Sequence, residues 1–315
     1  MTPEHTSVTA FAPATVGNVA VGFDILGHAL DAVGDRVTLR RIGDPMVRIA
    51  SIGGSVEPLP TNSAANTATA GLVRLIEDHR LPFGFEVTLE KGIPISSGMG
   101  GSAASAVGAA VAANAFLASP LPPERLLSYA LVGEAVASGS RHGDNLAPCL
   151  LGGLVLVRSL EPADLVRIPV PATIRCVLVH PRLRVETRTA RQVLPREVPL
   201  HSSIEQSANL AGFLAGCYSG DLELIHRSLS DVLVEPHRQA LVPGFQGVKR
   251  AAMQSGALGC SLSGAGPSLF AWCADEELGR EVCDRMIDAF AAEGIAAEGW
   301  ISRIDVPGAR VVETA

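Results

Sequence analysis

The sequence predicts a chain of mixed α and β structure divided into two domains, and three observations carry that expectation. Its 315 residues, 47% of them hydrophobic and 18% charged, exceed one minimal domain and can bury a substantial core. Segments with apolar residues at every second position alternate with segments at helical spacing along the whole length. Residues 158–172 mix charge with Pro162, Pro169 and Pro171, a composition that marks a boundary between globular units. Domains of residues 1–165 and 166–315 follow.

Taken in order, strands are expected over residues 7–12, 36–42 and 85–89, the last with Phe85, Val87 and Leu89 on one face. Leu72, Val73, Leu75 and Ile76 place an amphipathic helix over residues 64–79, and a second is expected over 125–137. Residues 92–123 carry no charged side chain. Their Ala-rich part, 103–118, is interrupted by Ser105, Gly108 and Asn114 and falls short of the ~20 strongly apolar residues a membrane span needs. A buried helix fits it, with no membrane partner. Residues 154–157 read as a buried strand. The second half repeats the mixture: strands near 174–179, 257–262, 268–273 and 296–304, with helices over 202–230, 243–254 and 276–293. No internal repeat is present.

Composition excludes several classes. With 25 Lys and Arg against 32 Asp and Glu, the net charge is −7, and the densest basic group is Arg40 with Arg41. Neutralising a phosphate backbone needs clustered cations, so no nucleic-acid partner is expected. Six cysteines, none at zinc or redox spacing, read as buried thiols in a reducing compartment. No Lys or Arg precedes Arg36, so the charged start of a secretory signal is missing and a cytoplasmic protein is expected.

Three segments could carry chemistry. Residues 94–105 form a glycine-rich turn between a strand and a helix of small residues. Such a turn exposes backbone N–H groups at a helix N-terminus, and the missing side chains of Gly98, Gly100 and Gly101 let the backbone approach a phosphate. No Lys follows the glycines, so the Walker A pattern is not met. Gly98, Gly100 and Ala103 do match G-x-G-x-x-A, but a dinucleotide site needs an acid-ended strand about 20 residues on, and prolines stand there instead. Residues 12–27 set Asn18 and Asp24 among small apolar neighbours. There they are either turn and cap residues or substrate contacts, Asp24 suiting an ammonium group. Residues 261–268 form a second glycine-rich turn, alone an ordinary hairpin, together with the first a possible closure over one phosphate-bearing ligand.

In this order and at this spacing the three segments resemble the superfamily of galactokinase, homoserine kinase, mevalonate kinase and phosphomevalonate kinase, from Ala10 to the C-terminus. The homoserine kinase branch is the most similar, on residues 12–24, 141–148, 235–238 and 308–311. The resemblance implies an α+β fold, with an N-terminal ribosomal-protein-S5-like α/β domain, a C-terminal ferredoxin-like α+β domain, ATP between them, and a homodimer. It implies ATP-dependent, Mg²⁺-dependent phosphorylation of the L-homoserine side-chain hydroxyl to O-phospho-L-homoserine for threonine biosynthesis. The alternative is another small hydroxylated metabolite as acceptor.

It also implies roles for residues. The phosphate loop falls on Pro94, Ser96, Ser97, Gly98, Met99, Gly100, Gly101, Ser102, Ala103 and Ser105, the Mg²⁺ contacts on Ser102 and Glu134, and the adenine side on Asn66. Homoserine contacts fall on Asn18, Asp24, Asn145, Arg191 and Arg238, with Thr187, Asn145 and Arg191 as the catalytic set. The chemistry is complementary: Asp24 can pair with an ammonium, and each arginine can fork onto a carboxylate. Asn145 stands where mevalonate kinases place an Asp. An amide cannot take a proton, so positioning and charge stabilisation carry the reaction, with the hydroxyl proton passing toward the phosphate. The neighbouring His142 and Asp144 are read as loop or cap residues. Gly101 stands where many members have Ser, and Gly17 where many have Ala.

Overall fold

Val8, Ala10, Ala12, Ala14 and Val16 are all fully buried, the period-two signature of a strand facing a core. The computed structural model describes residues 5–54, 58–138 and 142–315. Arg141 of the 141–148 segment and the first four residues lie outside the described residues. The first half contains β1 (Ser7–Gly17), β2 (Leu26–Ile42), β3 (Val47–Gly53), α1 (Thr67–His79), β4 (Gly84–Glu90), α2 (Gly101–Asn114), α3 (Pro123–Ser138), α4 (Leu146–Leu151), β5 (Leu154–Leu160) and β6 (Ala163–Ile168). The second contains β7 (Arg175–Pro181), α5 (Thr187–Gln192), α6 (Leu200–Ser219), α7 (Leu222–Ser228), α8 (Glu235–Arg238), α9 (Phe245–Gln254), β8 (Gly259–Leu262), β9 (Leu269–Cys273), α10 (Glu276–Ala292), β10 (Ala297–Arg303) and β11 (Arg310–Thr314).

A seven-stranded sheet runs β11-β1-β2-β4-β3, with β5 pairing the start of β2 and β6 pairing β5. Only β3 and β4 are parallel. Strand β2 is long enough to serve two partners, β5 against Leu26 to His28 and β4 against Arg36 to Ile42. This corrects the first two expected strands, which reach to Gly17 and back to Leu26, because long-range pairing extends them beyond their alternating cores. The 158–172 stretch also differs from expectation. Glu161 and Pro162 form the turn of a β5–β6 hairpin, so a division after residue 165 passes through β6. The last strand, β11, returns to pair with β1.

The Ala-rich segment is helix α2, apolar all round and buried on nearly every face. Ala103, Ala104 and Val107 pack into one core, while Ala109, Ala112 and Ala113 pack into a second with Leu72, Phe85 and Phe116. After α2 the chain enters α3, not the acid-ended strand a dinucleotide site requires.

The other sheet is antiparallel in order β10-β7-β9-β8. With α9 before β8 and α10 before β10 it has the βαββαβ connectivity of a ferredoxin-like domain, as the resemblance implies. Side-chain alternation along β7 explains how the halves join. Val177 and Val179 pack with Val248, Met286 and Phe290, whereas Cys176 and Leu178 face a core shared with Leu26, Leu146, Phe213 and Trp272. Within that shared core the Trp272 indole N–H donates to His28 Nε2 at 3.3 Å. All six cysteines are buried thiols, and burial pushes Cys217, Cys260 and Cys273 up to about 12. Among the described residues no helix is long and apolar enough to cross a membrane.

Candidate active site

Helix α2 begins with Gly100 in the left-handed region at φ 69°, and no side chain among the described residues caps it. Its first-turn N–H groups are left to the cavity in front of them, which is the electrostatic setting for an anion. Gly98, at φ 78°, approaches the second glycine turn so closely that a Cβ there would lie 2.4 Å from the Ser263 carbonyl oxygen. Ser263 Oγ donates to the Gly98 carbonyl at 2.7 Å, and Ser268 N–H donates to the Ser97 carbonyl at 3.1 Å. The two glycine-rich turns therefore meet, joining the two halves of the chain.

The Ser102 hydroxyl, in the first turn of α2, donates to Glu134 Oε2 on α3 at 2.8 Å. A hydroxyl and a carboxylate on the cavity wall suit Mg²⁺, which takes few protein oxygens and fills its shell with phosphate oxygens and water. Among the described residues no group of three His, Cys, Asp or Glu side chains could hold a metal alone. Among the described residues the buried Ser97 Oγ has no hydrogen-bond partner, an orphaned polar atom on the same wall that a phosphate oxygen would satisfy.

The other end of the cavity is charged. The backbone turns sharply after β1: Asn18, Val19, Ala20 and Asp24 all have positive φ, between 44° and 68°. This is strain that non-glycine residues adopt only when the surroundings impose it. Asn18 imposes it from its side chain, donating to the Gly264 carbonyl at 2.8 Å and accepting the Asp24 N–H at 3.0 Å. Asp24 is thereby aimed at Arg191 of α5, whose two terminal nitrogens each reach a carboxylate oxygen at 2.8 Å. Arg238, buried at 3% exposure, donates to the carbonyls of Ala190 and Gly264. Both guanidiniums stack over Phe23 at 4.9 and 5.1 Å, and burial with the charge of Arg191 pulls Arg238 down to about 10.

Between the two ends stand Asn145 and Asp144, before α4. The Thr15 hydroxyl donates to Asn145 Oδ1 at 2.8 Å, and Asn145 Nδ2 donates to Asp144 Oδ2 at 3.2 Å. Burial, then the negative charge of Asp24, pushes the Asp144 carboxyl up to about 7. His142 packs against Arg191, with Nε2 at 3.0 Å, and burial lowers its pKa. The loop reading of these two holds and the cap reading does not: both lie in the loop before α4, neither caps a helix, and both line the cavity.

The cavity, about 500 Å³, is lined by Asn18, Asp24, Pro94, Ser96, Ser97, Gly98, Gly100, Gly101, Ser102, Ser105, Glu134, Asn145, Thr187, Arg191 and Arg238. Three predicted residues are not on its wall. Met99 and Ala103 point into the core, and Asn66 caps α1, accepting the Ala68 N–H at 2.9 Å. Thr67, beside Asn66, does reach the cavity. Sequence reasoning missed Thr15, Phe23, Asp35 and Lys91. Of these, Lys91 alone had a signal, as the last charge before a long uncharged run.

Two family models match the chain, the GHMP kinases N terminal domain over residues 66–153 and the GHMP kinases C terminal over residues 213–292. The homoserine kinase of Xylella fastidiosa (strain 9a5c) is 53% identical over 310 residues, covering 98% of this chain and 95% of that one. The homoserine kinase of Chlorobium phaeobacteroides (strain BS1) is 45% identical, covering 97% and 99%. The crystal structure of homoserine kinase from Cytophaga hutchinsonii superposes with a TM-score of 0.95 at 42% identity, covering 99% of each chain. With the glycine-rich turns, the uncapped helix and the charged pocket in one cavity, the chain belongs to the homoserine kinase family of the GHMP kinases.

Proposed function

We propose that the chain transfers the γ-phosphoryl group of ATP to the side-chain hydroxyl of L-homoserine, giving O-phospho-L-homoserine for threonine biosynthesis. One observation carries the reading: a single cavity joins an uncapped helix N-terminus framed by glycines to the paired Asp24 and Arg191, with Arg238 behind them. The first end suits phosphates, and the second suits a small zwitterion better than a sugar or mevalonate.

In this reading the backbone N–H groups of residues 98–102 hold the phosphates, and Asp24 and the arginines hold the amino acid. Ser102 and Glu134 would hold Mg²⁺, which when bound neutralises charge on the phosphates. The Asn145 amide, held by Thr15, orients the acceptor hydroxyl but takes no proton. Thr187 and Arg191, one turn apart on α5, present a hydroxyl and a cation to the same cavity. The hydroxyl proton passes toward the phosphate, because a loose transition state demands little activation of the nucleophile. Mg²⁺ dependence, a cytoplasmic location and a homodimer belong to the same proposal.

The test is ADP release from Mg-ATP with L-homoserine, and with L-serine, L-threonine and mevalonate as parallel acceptors. Homoserine-dependent release, with O-phosphohomoserine identified by NMR, is the expected result. EDTA should abolish it and added Mg²⁺ restore it. Folded protein that binds Mg-ATP yet releases nothing with homoserine would overturn the substrate assignment.

A further inference from the structure

We infer that the buried ion pair of Asp35 and Lys91 is a positioning device that fixes both ends of the nucleotide-phosphate loop to a single point. The inference rests on the kinase reading above.

The loop leaves the sheet just after β4 and enters α2 at Gly101. Lys91 is the first residue past β4, and Asp35 lies on β2 beside the place where the β1–β2 register shifts. The Asp35 carboxylate is fully buried and the Lys91 side chain nearly so. One carboxylate oxygen accepts the backbone N–H groups of Gly92 and Ile93, at 3.1 and 3.2 Å, where the loop departs. The other accepts the Lys91 ammonium and, at 2.9 Å, the Ser105 hydroxyl on α2. The ammonium also donates to the Gly101 carbonyl at 2.8 Å and to Ser105 Oγ at 2.9 Å, where the loop ends.

Lys91 borders the cavity, but each of its three ammonium protons has a protein acceptor, so the role inferred for it is to act through the loop. Stability alone is a weak reason for burying two charges, since well-packed apolar residues serve a core equally well. What this pair supplies is direction. Its bonds beyond the pair itself go to Gly92 and Ile93, which lead into the loop, and to Gly101 and Ser105 at the start of the helix behind it. Gly98 and Gly100 lie between those anchors in the left-handed region, where a shift of either anchor would turn the exposed N–H groups away from the phosphates. Ser105, placed in the phosphate loop by resemblance, has its hydroxyl turned to this pair.

The test is calorimetric titration of the full chain with ADP, together with the homoserine KM at saturating ATP. The double variant Asp35→Asn/Lys91→Met removes both charges together, so no lone buried charge remains. It is expected to fold, as judged by circular dichroism and melting, to bind ADP at least tenfold more weakly, and to keep its homoserine KM within twofold. Ser105→Ala, which removes only the hydroxyl bridging the pair to the helix, is expected to weaken ADP about threefold or more, and it decides the matter if the double variant does not fold. ADP affinity within twofold of the wild type in the folded double variant, or in Ser105→Ala, overturns the inference. So does a homoserine KM that rises as much as the ADP dissociation constant, since general loosening would move both. Wild-type protein that does not bind ADP would overturn the nucleotide reading itself and this inference with it.

Discussion

Arg191 on α5 and Asp24 after β1 form a two-pronged ion pair across 167 residues of sequence, with both N–O distances 2.8 Å. At 38% and 32% exposure the pair is half open to water, so separating the two costs little. A bound amino acid offers the same charges in reverse, ammonium to Asp24 and carboxylate to Arg191. Asp24→Asn and Arg191→Met are each expected to raise the homoserine KM by tenfold or more while the ATP KM stays within threefold. Steady-state kinetics with each substrate varied in turn will check this.

Asp144 should make both binding and stability depend on pH. In the free protein its carboxyl loses its proton near pH 7, next to Asp24. Raising the pH through 7 adds a negative charge where the ammonium is expected, so the homoserine KM should fall, and Asp144→Asn should flatten that profile. If no side-chain base is used, kcat in this variant stays within about tenfold of wild type. A hundredfold loss of kcat at unchanged homoserine KM would instead make Asp144 the base.

Stability follows with the opposite sign. The folded carboxyl holds its proton to about 7, against an ordinary value of 3.8, so its contribution is complete at low pH and is lost as the pH rises through 7. The upper bound on that loss is about 4 kcal/mol. Asp144→Asn should therefore gain on the wild type between pH 5 and pH 8, as read by urea unfolding at the two values.

His28 works in the acid direction. Burial holds it down to about 4, neutral between the Ala29 carbonyl and the Trp272 N–H. Its contribution is present above about 6.5 and is lost as the pH falls toward 4, by up to about 3 kcal/mol. His180, also held near 4 by burial, adds to the same trend. Urea midpoints should drop between pH 7 and pH 4, and His28→Gln should show a shallower drop.

The glycines of the loop divide into two kinds. Gly98→Ala would set a Cβ against the Ser263 and Gly266 carbonyls at 2.4 and 2.7 Å, with a φ of 78° that alanine resists. It should raise the ATP KM at least tenfold and lower the melting temperature. For Gly101→Ser the nearest atoms are side-chain atoms of Ile93 and Lys91, the first at 3.3 Å, and the change adds a hydroxyl at the start of the helix. That variant should fold like the wild type, with an ATP KM equal or up to about threefold lower.

What the sequence by itself determined was local. The alternation of Phe85, Val87 and Leu89, the Ala-rich run of α2 and the helix–strand order after residue 200 were legible because a side chain's face repeats every two or 3.6 residues within one element. The glycine spacing of residues 98–101 was legible for a related reason, since the backbone shape it permits is decided by those residues alone. The extensions of β1 to Gly17 and of β2 back to Leu26, the β5–β6 hairpin and the return of β11 to β1 were not, because strand pairing is a contact between distant segments that no short window records. The same holds for the cavity. Asp24 stood out by its setting and Arg191 and Arg238 by resemblance, but the clamp of Asp35 and Lys91 needs β2, the end of β4 and α2 brought together, and the meeting of Asp24 with the two arginines beside Phe23 exists only where the two sheets close on each other. Charge, burial and reach are properties of that closure, and the tertiary structure alone decided them.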